Sequence, residues 1–541
     1  MNASVSRPLG AQISHILKDY GVDVIFGIPG VHNQEMYRGI EEAGITHILT
    51  RNEQGAGFMA DGYARATGRP GVAYVITGPG LCNVMNPMGQ AFSDNVPMLV
   101  VSSCLNMADL GMGRGRLHEM KDQEGAAATV CDWSKTAMSA DSAYELIERA
   151  WQEFRAGQLT PKHIQVPIEL LETSADRPRL RISLGNDKGG APHESAIARV
   201  TEALKQARKP LLVLGGGARG LASTARKETS LVRLLQNTHP VVFSTYAGAG
   251  IVPENYPLNY GSSLARAEST EVIADADLVV VIGSQLSEVD LWRDRLGHSA
   301  QMIRIDISQD RLNEHCGASV NIRADAAQFL DAVVDQLGDH RATSDWQAAD
   351  VAVRKSRWRS QVDAERPGIL PLVEALREVT SDDTMFFSDM TQFAYVALET
   401  FPMNQPGHWH HPSGFGTLGY ALPAAIGGKV GRPSLPVISI NGDSGFQYNI
   451  QELATAVELN LSLPIIVWDN GKLKEIEDSM TRAQIAPNAV IARNPDFCKL
   501  AEAYGARSAA PRSLKAFKEA ITTALGTDGP TVIHITPETA S

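Results

Sequence analysis

Short runs of apolar, mostly β-branched residues alternate along the chain with amphipathic stretches, and glycine-rich turns follow many of the runs. Continuous apolar runs are typical of parallel strands buried on both faces, and the intervening stretches are typical of the helices that cover them. The pattern occurs three times over, so we expect an α/β protein with three consecutive domains, each with a mainly parallel sheet. The strand-forming runs are VDVIFGI, THILT, VAYVITG, MLVVSS and HIQVPI, then PLLVLGG, VVFST, LVVVIGS and MIRIDIS, then MFFSD, PVISING, LPIIVWDN and TVIHIT.

Two stretches without apolar periodicity separate these groups of runs. Residues 173–193 are polar and rich in proline and glycine, which is typical of a linker, and residues from about 338 to 367 are charged and helix-prone, as expected of a second connector. The predicted domains span residues 1–172, 194–337 and 368–541. A chain of 541 residues exceeds the size of a single hydrophobic core, which agrees with several domains.

The composition and charge of the chain argue against several classes of function. The net charge of −12 provides no basic field for binding nucleic acid. No apolar stretch approaches the roughly 20 residues that span a bilayer, and the N-terminus lacks the pattern of a signal peptide. The five cysteines have neither metal-ligand nor disulfide spacing, which suggests buried thiols in a reducing compartment. We therefore expect a cytoplasmic protein without nucleic-acid or membrane partners.

The segment 436–471 has the most specific pattern. It predicts a strand, a Gly442-Asp443-Ser444-Gly445 turn, a helix and a second strand that ends at Asp469-Asn470. Both turns would lie at the carboxyl ends of parallel strands, where open α/β sheets bind ligands, and a small-residue turn before a helix lets backbone N–H groups approach an anion. Asp443 and Asn470 supply oxygens of the kind that Mg²⁺ takes alongside phosphates. Taken singly, each turn is equally compatible with an ordinary loop.

Together these turns resemble the thiamine diphosphate signature, in which Gly-Asp-Gly precedes an Asn-Asn pair. The resemblance implies that Mg²⁺ is bound by Asp443, Asn470 and the backbone carbonyl of Lys472. Two residues depart from the signature, because Ser444 replaces its second glycine and Asp469 its first asparagine, and the segment after Asn470 lacks a glycine that relatives commonly carry. The residues implied to contact the diphosphate are Gly442, Asp443, Ser444, Gly445 and Asn470.

A second segment, 413–427, has the glycine spacing of a backbone that approaches a ligand and then enters a small-residue helix, although a plain strand-to-helix turn has the same pattern. It resembles the family segment in which a glycine carbonyl, here of Gly416, accepts a hydrogen bond from the cofactor's 4′-amino group. Leu418 takes the place of the bulky residue that keeps the cofactor bent. Thr391 and Gln392 match the family's diphosphate-contacting turn more loosely.

Glu53 follows a predicted strand and begins a predicted helix, Glu53–Thr67, where a glutamate usually complements the helix dipole. Its context, Glu-x-Gly-Ala followed by Ala-x-Gly-Tyr-Ala-Arg, resembles the family's pyrimidine-binding motif. This implies that Glu53 activates the cofactor by stabilising a proton on its pyrimidine ring, with Gly78 and Asn83 in the neighbouring turn. In the family this domain faces the diphosphate-binding domain of another subunit, which implies a homodimer or homotetramer.

The reaction is indicated by two loops of the first predicted domain. His32 and His118 fall where relatives place active-site loops, and both are candidates for proton transfer, although a loop histidine is more often only solvated. The runs GIPGVH, EQGAGFMADGY and LHEMKDQ resemble the guanidino-2-oxopentanoate decarboxylase branch of the family. This implies non-oxidative decarboxylation of a 2-oxo acid to an aldehyde. The candidate partners of a substrate guanidinium are Glu119, Asp122 and Glu475.

Three alternatives stay open on the sequence. A carboligase of the acetolactate synthase type joins two 2-oxo acids, and its central domain would hold FAD at Gly215–Gly220 and Ile305–Ile307, although FAD is the less favoured expectation. The absence of a Phe-Gln pair at positions 117–118 argues against this enzyme. A nucleotide-binding or regulatory protein with a decayed thiamine site would explain Ser444 and Asp469. A nicotinamide oxidoreductase lacks support because no GxGxxG follows the first strand.

Overall fold

The computed structural model describes residues 6–157, 159–178, 192–222, 229–314 and 317–540. Three successive regions each contain a six-stranded parallel sheet with apolar clusters on its faces, so the predicted α/β fold class is confirmed. Strand residues alternate between the faces: Ile25 lies in one cluster and Phe26 in another. In the described part of the chain, no helix combines the length and apolar character of a membrane span.

The first region has strands β1 (Arg7–Pro8), β2 (Val24–Gly27), β3 (Thr46–Leu49), β4 (Gly71–Val75), β5 (Met98–Cys104), β6 (Trp133–Thr136), β7 (Lys162–Pro167) and β8 (Ser174–Ala175). Its helices are α1 (Leu9–Asp19), α2 (Gln34–Arg38), α3 (Glu53–Thr67), α4 (Pro79–Asp94), α5 (Gln123–Ala128), α6 (Ala140–Arg155) and α7 (Ile168–Leu171). The main sheet has the order β3-β2-β4-β5-β7-β6, and β1 pairs with β8 separately. Helix α3 has the bounds that the sequence predicts.

The central region has strands β9 (Pro210–Leu214), β10 (Val241–Ser244), β11 (Asn259–Gly261), β12 (Leu278–Ile282), β13 (Gln301–Asp306) and β14 (Val320–Arg323). Its helices are α8 (Glu194–Gln206), α9 (Ser230–Thr238), α10 (Ser269–Asp275), α11 (Glu288–Leu291), α12 (Gln309–Leu312) and α13 (Ala326–Leu337). The sheet order is β11-β10-β9-β12-β13-β14. Helix α14 (Ala348–Glu365) occupies the predicted second connector and contributes to the cores of the central and third regions.

The third region has strands β15 (Met385–Ser388), β16 (Trp409–His410), β17 (Val437–Gly442), β18 (Leu463–Trp468), β19 (Arg507–Ala509) and β20 (Pro530–Ile535). Its helices are α15 (Leu370–Val379), α16 (Gln392–Thr400), α17 (Ala421–Gly431), α18 (Asp443–Tyr448), α19 (Leu453–Glu458), α20 (Lys474–Arg482), α21 (Phe497–Ala503) and α22 (Leu514–Leu525). The sheet order is β16-β15-β17-β18-β20-β19.

The first and third regions pack against each other through α3 and α17. A Cβ atom on Gly62 would lie 2.0 Å from the carbonyl oxygen of Ala424, and one on Gly427 would lie 1.9 Å from that of Met59. The absence of side chains at these glycines lets the two backbones approach closely. The two regions consequently share one apolar cluster.

Every apolar run identified in the sequence contains a strand, but the sequence analysis missed the two-residue strands β1 and β8 and several strands at sheet edges. Strand β8 pairs with β1, so the predicted linker 173–193 begins with residues of the first region, whereas its residues 179–191 lie outside the described part. The domain boundaries at 172, 194, 337 and 368 stay predictions.

Candidate active site

Glu53 is the first residue of α3, and Asn52 caps the helix by accepting a hydrogen bond from the backbone N–H of Gln54. The Glu53 side chain points at α4, where the Nδ2 of Asn83 donates to its Oε2 at 2.9 Å. The residue is only 9% exposed. A Cβ on Gly80 would approach the Glu53 Oε1 to 3.3 Å, so the small residue makes room for the carboxylate. The structure therefore brings together Glu53 and Asn83, as the sequence predicts.

Gly78 occupies the tight turn before α4 with a φ of +69°, and its N–H donates to the Oε1 of Gln123 at 2.9 Å. A Cβ at this position would lie 2.5 Å from the carbonyl oxygen of His118. Only glycine fits here, because both the positive φ and this close contact exclude a side chain. The turn thus holds the loop of His118 beside the start of α4.

His32 and His118 lie edge to face, with ring centroids 4.9 Å apart. Within the described residues, the Nδ1 atoms of both rings are buried and find no hydrogen-bond partner. Burial, and to a lesser degree the neighbouring His118, lower the pKa of His32, which favours its neutral ring. The two histidines thus lie side by side, each with a ring nitrogen that lacks a hydrogen-bond partner among the described residues.

Asp443 begins α18, and its carboxylate is aimed at the turn after β18. Its Oδ1 accepts from the N–H of Ser444 at 2.9 Å, and its Oδ2 accepts from the N–H of Gly471 at 3.1 Å. Asn470 accepts from the N–H of Lys472 and donates to the Oε1 of Gln392, both at 3.2 Å. The neighbouring positions of β17 and β18 in the sheet bring these two turns together.

Two residues that the sequence analysis missed complete this cluster, namely Asn494 and His534. The Nδ2 of Asn494 bridges the carboxylates of Asp443, at 2.6 Å, and Asp469, at 2.8 Å, while His534 bonds the other Asp469 oxygen at 2.9 Å. Burial and the charge of Asp469 raise the pKa of Asp443. Burial opposes the charge of Asp469, yet hydrogen bonds from His534 and Asn494 lower its pKa. The aspartate that departs from the signature is therefore stabilised by the protein itself.

These oxygens suit a hard cation. Among the described residues, no group of three or more histidine, cysteine or acidic side chains is suited to a metal ion. The predicted Mg²⁺ ligands do not require one, because they are one carboxylate, one amide and one backbone carbonyl. The space beside this turn is also open, since a Cβ atom on Gly471 would meet no atom within 4 Å. The residues present therefore fit Mg²⁺ held between protein and diphosphate.

Asp389, also missed, connects two turns of the predicted cofactor site. Its carboxylate accepts from the N–H groups of Met390 and Gly419 at 2.8 Å, and a Cβ on Gly445 would lie 2.7 Å from its Oδ2. Burial raises its pKa to about 7. Gly416 has a φ of +68° in the same turn, which precedes α17. Asp389 thereby links the turn of Gly416 and Leu418 to that of Gly442–Gly445, which also lies against Thr391.

Three models of one protein family match the chain in succession. They describe the N-terminal TPP binding domain of thiamine pyrophosphate enzymes over residues 7–126, the central domain over 197–333 and the C-terminal TPP binding domain over 389–535. The chain is also 40% identical to the "Probable 2-ketoarginine decarboxylase" of Pseudomonas aeruginosa, over 97% of this chain and 93% of that protein. The chain belongs to the thiamine pyrophosphate enzyme family.

More distant members of this thiamine pyrophosphate enzyme family are acetolactate synthases. Isozyme 2 of Escherichia coli (large subunit) is 27% identical over 97% of this chain and 95% of its own length. The large subunit of Haemophilus influenzae is 29% identical over 90% of this chain and 87% of its own length. The chain is thus an enzyme whose relatives include a probable decarboxylase and acetolactate synthases. The N-terminal match contains Glu53 and Asn83, and the C-terminal match contains Asp443 and Asn470.

Within one chain of this thiamine pyrophosphate enzyme, the two halves of the predicted site form separate hydrogen-bonded clusters. Among the described residues, no hydrogen bond or ion pair joins Glu53 to Asp443 or Asn470, and the hydrogen-bond partners of each residue lie in its own region. The glycine run proposed for FAD packs on protein backbone, since a Cβ on Gly215 would lie 2.2 Å from the carbonyl oxygen of Gly283. Close backbone packing therefore explains the glycine at 215, whereas a Cβ on Gly220 would meet no atom within 4 Å.

The carboxylate of Glu452, another residue missed from the sequence, supports the start of α3 from the third region. Its Oε1 accepts from the N–H groups of Arg51 and Asn52, both at 3.0 Å, and its Oε2 accepts from Thr455 at 2.8 Å. Burial raises its pKa to about 7. The sequence gives little indication of this contact, because Glu452 lies about 400 residues from the N–H groups that it accepts from.

We expect Glu452→Ala to loosen the start of α3, because two partly buried N–H groups lose their acceptor, at a net cost of about 0.5–1.5 kcal/mol for each hydrogen bond. Hydrogen–deuterium exchange should become faster at the amides of Arg51 and Asn52. Glu452→Gln is the matched control, since an amide oxygen can accept the same two bonds. Equal exchange in both variants and the wild type would show that this carboxylate does not support the helix.

Proposed function

We propose that this chain is a Mg²⁺-dependent thiamine diphosphate decarboxylase that converts 5-guanidino-2-oxopentanoate, a 2-oxo acid, to CO₂ and the corresponding aldehyde. The observation that carries the proposal is the similarity to the 2-ketoarginine decarboxylase, which extends over nearly the whole chain. The two clusters described above support it, because each has the groups that one end of the cofactor requires. The net reaction takes up one proton for each CO₂ released.

The diphosphate end would be held by the third region. Asp443, Asn470 and the carbonyl of Lys472 would bind Mg²⁺, and the N–H groups of the 442–445 turn would face the phosphates. Thr391 and Gln392 lie at the same edge: Gly442 lies against Thr391, and Gln392 accepts from Asn470. The carbonyl of Gly416 and the side chain of Leu418 would position the aminopyrimidine.

The first region would carry the proton transfers. When bound, thiamine diphosphate supplies a nucleophilic carbon and an electron sink for breaking the bond to the carboxylate. Glu53, oriented by Asn83, would hold a proton against the pyrimidine ring. His32 and His118 would deliver the proton that becomes the aldehyde hydrogen, because their Nδ1 atoms are unpartnered among the described residues.

We further propose that the enzyme is a homodimer or a homotetramer, in which the first region of one subunit faces the third region of another. The absence of a hydrogen bond or ion pair between Glu53 and Asp443 among the described residues of one chain agrees with this arrangement. Large apolar side chains are exposed on the surfaces of both regions, and burial in a subunit contact would remove them from water. They are Val31, Leu117, Phe415, Tyr448 and Ile491.

The test is a panel of 2-oxo acids assayed for CO₂ and aldehyde with purified enzyme, thiamine diphosphate and Mg²⁺. We expect 5-guanidino-2-oxopentanoate to give both products in equal amounts. Acetolactate formed from pyruvate at a higher rate would instead establish the carboligase. Absence of turnover of every 2-oxo acid, in a protein that does not bind the cofactor, would favour the regulatory alternative.

Removal of the metal should abolish activity reversibly. Treatment with EDTA followed by gel filtration is expected to lower the rate to background, because the diphosphate and Asp443 repel each other without a cation between them. Added Mg²⁺ should restore activity, and cofactor binding followed by protein fluorescence should show the same dependence. Full activity in metal-free enzyme would contradict the assigned Mg²⁺ site.

A further inference from the structure

Glu475, in the first turn of α20, already binds a guanidinium. Arg366 donates to its two carboxylate oxygens, from Nε at 2.9 Å and from a terminal nitrogen at 3.3 Å. This fork-on-carboxylate geometry is the one by which proteins recognise guanidinium groups. Burial opposes the charge of Glu475, yet the hydrogen bond from Arg366 lowers its pKa. The carboxylate is therefore ionised and shaped for a planar cation.

A short chain of hydrogen bonds connects Glu475 to the predicted Mg²⁺ site. Gln392 donates to the Oε1 of Glu475 at 2.9 Å and accepts from Asn470 at 3.2 Å. Glu475 follows Lys472 by three positions in the chain, and none of the residues of α20 is fully buried. Glu475 thus lies beside the cofactor cluster, on a helix whose side chains stay accessible.

The cluster of charged side chains around Glu475 has one negative charge in excess. Arg366 lies 3.6 Å from Glu365 as well, and Arg266 binds both Glu365, at 2.7 Å, and Glu399. Two guanidinium groups therefore face three carboxylates, Glu365, Glu399 and Glu475, a balance of 2 − 3 = −1. Arg366 retains a carboxylate partner if it leaves Glu475, and one further cation neutralises the cluster.

The other two carboxylates suggested by the sequence are occupied by their own loops. Glu119 accepts from the backbone N–H groups of Arg114 and Arg116, both at 3.0 Å. Asp122 caps α5 by accepting from the N–H of Gly125 at 2.8 Å. Neither contacts a guanidinium among the described residues. Their bonds to backbone hold the loop of His118, which is a structural role.

We propose that Glu475 is the residue that binds the guanidinium of the substrate, and that Arg366 occupies its place in the free enzyme and moves toward Glu365 when substrate binds. The inference rests on the proposed function and adds the residue that determines specificity. A 2-oxo acid with an uncharged side chain leaves Arg366 on Glu475 and gains nothing from this carboxylate. The site therefore selects a cationic chain end.

The test compares 5-guanidino-2-oxopentanoate with 5-ureido-2-oxopentanoate, which has nearly the same shape but no charge. Wild-type enzyme should prefer the guanidino acid in kcat/KM. In Glu475→Gln we expect the KM for the guanidino acid to rise roughly 10- to 100-fold, as for loss of a charge-assisted bond, while the value for the ureido acid changes less than about 3-fold. The preference of Glu475→Gln for the guanidino acid over the ureido acid should therefore be smaller than that of the wild type.

Glu374→Gln is the matched control, because Glu374 also pairs with an arginine, Arg359, but lies outside the cluster. It should leave both KM values unchanged. Glu475→Asp keeps the charge on a shorter side chain, so an intermediate preference is expected, and it serves if Glu475→Gln does not fold. An unchanged preference in the Glu475 variants overturns the inference while the proposed function stands. A wild-type enzyme that turns over neither acid overturns the proposed function itself.

Discussion

Glu53→Gln is expected to lower kcat by about 100- to 10,000-fold, the range over which a positioned acid or base accelerates a reaction. Glutamine has nearly the same shape and keeps the hydrogen bond with Asn83, but it carries no charge to stabilise a proton on the pyrimidine ring. The affinity for thiamine diphosphate should therefore change by less than about 10-fold. Single-turnover kinetics and cofactor titration by fluorescence measure the two quantities separately.

The control for Glu53→Gln is Glu41→Gln, a neutral substitution of an exposed carboxylate in the same region. It should leave kcat unchanged. Asn83→Ala tests the orienting bond and should give a smaller loss than Glu53→Gln, because the carboxylate is retained. A Glu53→Gln enzyme with near-normal turnover would show that the activating carboxylate lies elsewhere.

The central strands of each sheet were predictable because both of their faces are buried, which leaves a continuous apolar run in the sequence. Several edge strands were not, since they are short or half-exposed: β14 reads Val-Asn-Ile-Arg with two exposed residues, and β16 has only two residues. Such segments pair because a neighbouring strand is already in place. Their own residues therefore contain little of the information that defines them.

The residues of the candidate site also fall into those that could be predicted from the sequence and those that could not. Groups at strand ends, such as Asp443 and Asn470, were predictable because parallel strands bring their carboxyl ends to one edge. Asn494 and His534 were not, since they reach the site from loops and strands whose sequences have no motif. Glu452 acts on the backbone of Arg51 across two domains. Side-chain partners distant in sequence follow from packing, which a single sequence does not reveal.

The arrangement around Asp469 shows how a departure from a signature can be accommodated. An asparagine there would be neutral, whereas Asp469 adds a charge next to Asp443. His534 and Asn494 donate hydrogen bonds to this charge, and the N–H of Gly471 donates to its Oδ1 at 3.0 Å. Three donors on one carboxylate offset the like-charge repulsion without any cation. The substitution is therefore compatible with a functional metal site, contrary to the interpretation of a decayed one.

Asp443→Asn is expected to weaken Mg²⁺-dependent binding of thiamine diphosphate by at least about 100-fold, because it removes the one charged ligand of the predicted set. The thermal midpoint of the wild type should rise when Mg²⁺ and cofactor are added together, since ligands that bind only the native state stabilise it. The variant should show no such rise at the same concentrations. This measurement does not depend on turnover.

Asp496→Asn is the matched control for Asp443→Asn, because Asp496 caps α21 through the N–H of Lys499 and asparagine is an equally good cap. It should preserve the ligand-induced rise in full. Since Asp443 also accepts from Asn494 and Gly471, melting without ligand must be compared first, so that loss of these bonds is separated from loss of the metal. An Asp443→Asn protein that is stabilised as strongly as the wild type would place the cation at other residues, and the turn at 442–445 would then bind the diphosphate through its backbone alone.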